Sequence, residues 1–240
     1  MTPSPIRAVL FDAAGTLIHL REPVGETYAR AARRFGADIS AERLAEAFAR
    51  AMAEAPPMVF ADASPARIDE RERSWWRVLV QETFRGAAPG VTPNDFEACF
   101  SALYAGFAEP AAWCPAPAAR STLLALRSQG LATAVVSNFD RRLAGLLEGH
   151  GLAPLLDAVV LPSDAGAAKP DPAIFHAALA RLDCPAGSAV HVGDDPVEDV
   201  AGARAAGLHA VDVGELATLA ELPARLAPSK NAPSARGPAQ

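Results

Sequence analysis

Four short segments of this 240-residue chain hold the residue types that chemistry needs. "VLFDAAGTL" (9–17) ends an apolar run on Asp12 and follows it with Gly15 and Thr16, and "VVSNFD" (135–140) ends a similar run on Ser137 and Asn138. "AAKPDP" (167–172) carries Lys169, and "HVGDDPVED" (191–199) carries Asp194, Asp195 and Asp199. Singly, each has a plainer reading: Asp or Ser-Asn after an apolar run is commonly a turn or a helix cap, and "KPDP" a solvated loop. Together they bring one hydroxyl, one ammonium and several carboxylates to one rim. Lysine occurs at only two positions, 169 and 230, among 22 basic residues. That usage fits a compact ammonium at Lys169, a role that the planar fork of arginine fills less well.

These residues need elements that bring them to one place. "IRAVLF" is a short β-branched run bounded by Pro5 and the turn-like "DAAG", and similar runs recur at 131–137, 156–162, 188–193 and 208–213. Between them lie helical patterns that start near Pro or Asp and end at Gly130, Gly149, Gly151 and Gly207. Strand alternating with helix predicts an α/β fold, a doubly wound parallel sheet covered by helices, with ligands at the carboxyl ends of the strands. The sheet core is expected over 1–21 and 114–221. Residues 22–113 contain no convincing strand and four amphipathic patterns, which predicts an inserted helical unit. Thr92 or Asn94 is the expected cap of its last helix, and Ser40 with Arg43 gives half a capping box. Adjacent Trp75 and Trp76 must point to different helix faces, with core packing expected of either and a cleft open to one of them. The stretch from 222 to 240 is rich in Pro, Ala and Ser without apolar period, and disorder is expected there.

A net charge of −6 with 21% charged residues gives no basic stripe, so nucleic acid is not an expected partner. No window approaches eighteen uninterrupted apolar residues, which argues against a membrane span, and "MTPSPIRAVLFD" lacks the order of a signal peptide. A cytoplasmic location is the expectation. Cys99, Cys114 and Cys184 match no metal or redox spacing and are read as reduced, small core residues.

The motifs resemble the haloacid dehalogenase-like (HAD) superfamily. "FDAAGTL" is similar to its first motif, "VVSNFD" to its second, "AAKPDPAIF" to its third and "HVGDDPVEDVAGARAAG" to its fourth, and the insert sits where the family carries a C1-type cap. "PVGETY" (23–28) and "SNFDRRL" (137–143) resemble one subgroup of that family. The resemblance implies a Rossmann-like core and a small, phosphorylated substrate. It implies Asp12 as nucleophile, forming an aspartyl-phosphate, and Mg²⁺ held by Asp12, Asp194 and the backbone carbonyl of Ala14, with Asp195 or Asp199 in support. Ser137, Asn138, Lys169 and Thr16 would bind the phosphate.

One position departs from the pattern. Most phosphatases of the family have an acid–base Asp two residues after the nucleophile, where this chain has Ala14. His19, Glu22 and Glu26 are the nearest groups in sequence that could replace it. The 2-haloacid dehalogenases also lack that Asp, since halide leaves without a proton, and "FDAAGTL" resembles their "FDAYGTL". Their expected tyrosines, however, are Ala14 and Phe175 here, and they need no metal to balance an acidic cluster. A silent, ligand-binding member is the reading from another class. The insert contains no lysine for a Schiff base, which argues against phosphonoacetaldehyde hydrolysis, and hexose-phosphate mutases need the second Asp. Arg30, Arg33, Arg34 and Arg43 are candidates to meet a substrate anion or to form a solvated face. Oligomeric state is left open.

Overall fold

The computed structural model describes residues 5–60 and 64–227. In chain order its strands are β1 (Ala8–Phe11), β2 (Ile18–Leu20), β3 (Trp113–Pro115), β4 (Ala132–Val136), β5 (Ala158–Val160), β6 (Ala189–Gly193) and β7 (His209–Asp212). Its helices are α1 (Val24–Arg34), α2 (Ala41–Glu54), α3 (Pro65–Ala87), α4 (Phe96–Gly106), α5 (Ala119–Ser128), α6 (Leu143–Gly149), α7 (Pro162–Ala165), α8 (Pro172–Arg181), α9 (Gly202–Ala205) and α10 (Leu222–Leu226).

β1 is apolar at every position because it lies at the centre of a parallel sheet covered on both faces. The strand order is β5-β4-β1-β6-β7, with Ala8 registered against Ala132 on one side and Ala189 on the other. The two-residue period of β1 divides the core. Val9 and Phe11 face one cluster with Leu123, Leu126, Leu143 and Leu146, while Ala8 and Leu10 face another with Ile174, Phe175 and Ala178. Each large apolar side chain buried in this way contributes about 1.5–3 kcal/mol relative to exposure. The expected doubly wound sheet is thus present.

β2 and β3 form a two-stranded antiparallel ribbon that begins and ends the excursion to α1–α4. With three residues each, they are too short to show a period in sequence, and the boundary expected between 113 and 114 falls inside β3. The four helices carry their own core around Tyr28, Leu44, Phe84 and Phe100. Ser40 Oγ accepts from the Arg43 N–H, completing the expected cap of α2. The cap of α4 is Asp95, not Thr92 or Asn94: its carboxylate accepts from the Ala98 N–H, while the Asn94 N–H is tied to the Phe35 carbonyl.

The expectation of disorder from 222 is corrected for its first residues. Leu222 is fully buried and opens α10, which packs on the β1 core, and residues 228–240 lie outside the described residues. Cys99 and Cys184 are buried free thiols, whereas Cys114 is only half-buried in β3. No described helix is long and apolar enough to cross a membrane.

Candidate active site

The carboxyl ends of β1, β4 and β6, together with the loop after α7, bring Asp12, Ser137, Lys169, Asp194 and Asp199 to one pocket. Asp12 leaves β1 with its N–H bonded to the Val192 carbonyl at 2.9 Å, so its position is fixed to β6 through the backbone. Lys169 is buried, and its Nζ donates to Asp12 Oδ1 at 2.6 Å and to Asp199 Oδ1 at 2.5 Å. Burial alone would lower the lysine pKa, but the facing charges of Asp12 and Asp199 outweigh it and hold the ammonium protonated.

Asp199 is the most heavily bonded of the carboxylates. Besides Lys169 it accepts from His191 Nε2 at 2.8 Å and, through Oδ2, from the Asp195 N–H at 3.1 Å. Burial works against its charge, yet the His191 hydrogen bond and Lys169 hold it well below the usual carboxylate range. Burial pushes the His191 ring down toward its neutral form. A β-carbon at Gly193 would sit 2.2 Å from Asp199 Cγ, so glycine is required for this approach.

Asp194 is more exposed and receives the Thr16 hydroxyl at 3.1 Å. Its carboxyl is pushed up, first by burial and then by the negative charge of Asp12. Gly15 turns the chain beneath it at φ +101°, and any β-carbon there would lie 2.4 Å from Asp194 Oδ2. Asp12, Asp194 and Asp199 each present an oxygen within 4.8 Å of the others. Three carboxylates against one ammonium leave two negative charges in excess, and oxygen donors at this spacing suit a hard divalent cation.

Several of the expected site residues are also bonded to one another or to the nearby main chain. Asp195 caps the helical segment that follows, its Oδ1 accepting from the Val197 and Glu198 N–H groups, and it stands outside the three-carboxylate cluster. Asn138 spends its amide on the main chain of Lys169, accepting from its N–H at 2.8 Å and donating to its carbonyl at 3.0 Å. Thr16 is likewise committed to Asp194. Both are engaged with other site residues, and Asn138 also lines the pocket. Ser137 lines the pocket as expected, and so does Ala14. Of the three groups considered as replacements for an acid at 14, His19 lines the pocket, whereas Glu22 pairs with Arg30 beside a different hollow. Glu26 and the arginines 30, 33, 34 and 43 do not line it.

Sequence reasoning missed the residues that fasten the insert to the sheet. Asp140, with no exposed side-chain surface, accepts from Trp76 Nε1 at 2.5 Å and from the Arg142 guanidinium. Arg142 also lies over the Tyr104 ring at 3.9 Å and donates to the Tyr104 carbonyl. Glu72, buried on α3, accepts from the Arg141 N–H and the Ser163 hydroxyl. Trp76 therefore faces the cleft while packing against the core of the insert, and Phe48 and Met52 of α2 join it above the carboxylates.

A family model, that of the haloacid dehalogenase-like hydrolases, matches residues 6–207. The chain belongs to this family. Haloacid dehalogenase-like hydrolase domain-containing protein 3 from Bos taurus is 39% identical over 208 residues, spanning 85% of this chain and 80% of that protein. Among solved structures, a HAD phosphatase from Thermococcus onnurineus is 25% identical with a TM-score of 0.62, covering 92% of this chain and 98% of its own. A dehalogenase is 26% identical with a TM-score of 0.67, covering 93% and 98%. This HAD-like hydrolase is thus similar to solved members named for either chemistry, and the distinction between them rests on the pocket.

Proposed function

We propose that the chain is a Mg²⁺-dependent phosphatase acting on a small phosphorylated substrate through an aspartyl-phosphate on Asp12. The observation that carries this reading is the charge of the pocket: three carboxylates within 4.8 Å and a single buried ammonium. Clustered acids left uncompensated are costly, and a divalent cation cancels the excess. Asp12, Asp194 and Asp199, with the Ala14 carbonyl, would hold it. When bound, it would neutralise phosphate charge and polarise the transferring group.

The protein's own residues supply the remainder. Lys169 holds Asp12 Oδ1 and leaves Oδ2 for attack on phosphorus, while its ammonium and the Ser137 hydroxyl lie where they would receive phosphoryl oxygens. Asn138 fixes the Lys169 backbone while Asp12 and Asp199 hold its ammonium, and Thr16 orients Asp194. No carboxylate stands at 14 to protonate the leaving oxygen, so turnover depends on how well the leaving group departs as an anion. Hydrolysis of p-nitrophenyl phosphate and of an alkyl phosphate, with Mg²⁺ and with EDTA, tests this reading. Mg²⁺-dependent turnover that strongly favours the nitrophenyl ester is expected, and folded protein inactive on both would contradict it.

Ala14 also favours a second reading, a metal-independent 2-haloacid dehalogenase, because halide needs no acid. Chloride release from 2-chloropropionate in EDTA would establish that reading in place of the first.

A further inference from the structure

β6 is apolar or glycine at every position but one. Ala189, Val190, Val192 and Gly193 suit a strand buried between β1 and β7, whereas His191 places an imidazole at the same depth, level with Leu10 and Ala210. The residue is 1% exposed, and its ring stands at near right angles to that of Phe175, with centroids 5.1 Å apart. Its Nδ1 is buried and has no hydrogen-bond partner among the described residues. A buried nitrogen left unpartnered costs stability, a cost that an apolar side chain of similar bulk would avoid. The contact made by the other ring nitrogen is therefore the feature to explain.

That contact is with Asp199. An ionised carboxylate only accepts, so His191 Nε2 carries the proton and donates it to Asp199 Oδ1 at 2.8 Å. The same oxygen receives Lys169 Nζ, while Oδ2 receives the Asp195 N–H. Alternate residues of a strand face one side, so positions 191 and 193 both turn toward this carboxylate. His191 holds its oxygen, and Gly193, lacking a β-carbon, leaves room for its Cγ. Lys169 has three N–H donors, of which Asp12 and Asp199 take two. The third is left for a phosphoryl oxygen, and its direction depends on where Asp199 holds the ammonium.

We propose that His191 is a positioning residue: through Asp199 it aims the Lys169 ammonium at Asp12 and at the phosphoryl group, without touching the substrate itself. The inference rests on the phosphatase reading for the identity of the group that Lys169 meets. Without the Nε2 donor, Lys169 is the remaining partner of Asp199 Oδ1 among the described residues. The carboxylate is then free to rotate about its Cβ–Cγ bond and to draw the ammonium off Asp12.

His191→Met and His191→Gln test this, because the two side chains are similar in length and only glutamine has an N–H to offer Asp199. With p-nitrophenyl phosphate and Mg²⁺, kcat/KM is expected to fall about tenfold or more in His191→Met, the worth of a hydrogen bond to a charged group, and to stay within about threefold of wild type in His191→Gln. Thermal melts report that each variant is folded. In an Asp199→Ala background, His191→Met should cost less than about twofold, because the group it acts through is gone. Wild-type activity in His191→Met, or a glutamine variant as impaired as the methionine one, would overturn the positioning role. Should the methionine variant not fold, the glutamine variant decides alone, and a tenfold loss there overturns the role. Inorganic phosphate with Mg²⁺, read as a rise in Tm, gives a measure that needs no turnover: the rise should survive in His191→Gln and shrink in His191→Met. A wild type that hydrolyses no ester but shows this pattern contradicts the phosphatase reading alone. No hydrolysis, with the same phosphate response in all three proteins, overturns both.

Discussion

At the scale of single residues, Ala14 and Lys169 define what the pocket can do. Lys169 bridges Asp12 and Asp199, so one side chain restrains Asp12 and offsets part of the acidic cluster. Ala14 lines the same pocket with a methyl group where a proton donor would complete the chemistry. Restoring a carboxylate by Ala14→Asp is predicted to raise kcat on alkyl phosphates by about 10²–10⁴, the usual worth of general acid–base catalysis. The same change should have a much smaller effect on aryl esters, whose leaving group departs unaided. Steady-state kinetics on a matched alkyl and aryl pair would show it. The convergence of Asp12, Ser137 and Lys169 on one pocket was legible in sequence, for Asp12 and Ser137 because each follows an apolar run at a strand end. The division of labour between Asp195 and Asp199 was not. Both are acids after the same strand, and only the fold turns one back onto its own helix start and the other onto Lys169 and His191.

At the scale of elements, the fastening of α3 to the sheet matters most. Trp76 and Asp140 are 64 positions apart, and Glu72 reaches Arg141 across 69, so no local pattern in the sequence announces either contact. By contrast, β1 and β4 were legible as continuous apolar runs, which is what a strand buried on both faces must be. Asp140→Ala would leave Arg142, with 12% of its side chain exposed, facing apolar and aromatic walls without its carboxylate. Removing one partner of such a pair costs about 3–5 kcal/mol, and urea unfolding is predicted to show a loss of that order. Glu72 gives a pH signature. Burial raises its carboxyl above the ordinary value of 4.5, so the folded state binds its proton more tightly than the unfolded chain. Stability from this group is therefore full below the ordinary value and is lost as pH rises through the raised one. Unfolding free energies measured from acid to neutral pH should fall for wild type relative to Glu72→Gln.

At the scale of the whole molecule, a doubly wound sheet gathers the chemistry at one rim and a four-helix insert covers that rim with apolar side chains. The short β2–β3 ribbon is where the chain leaves for the insert and returns. With acidic side chains from β1 and β6 crowding one point, a cation that binds there stabilises the folded state against the unfolded one. Mg²⁺ at about a hundred times its dissociation constant is predicted to add about 2.7 kcal/mol, or about 5–10 °C in Tm for a chain of this size. Asp194→Asn should remove most of that shift, as thermal melts with and without Mg²⁺ would report.

The central claim is that Asp12 is a nucleophile working without an acid–base partner at 14. Both halves of the reaction lack that group, so hydrolysis of the covalent intermediate is slow once a good leaving group has gone. Intact-protein mass spectrometry after acid quench of the enzyme with Mg²⁺ and p-nitrophenyl phosphate tests this directly. The account predicts a species heavier by one phosphoryl group, located on Asp12, absent from Asp12→Asn and depleted in Ala14→Asp. Turnover with no phosphoenzyme at any time, or a label that persists in Asp12→Asn, would contradict it.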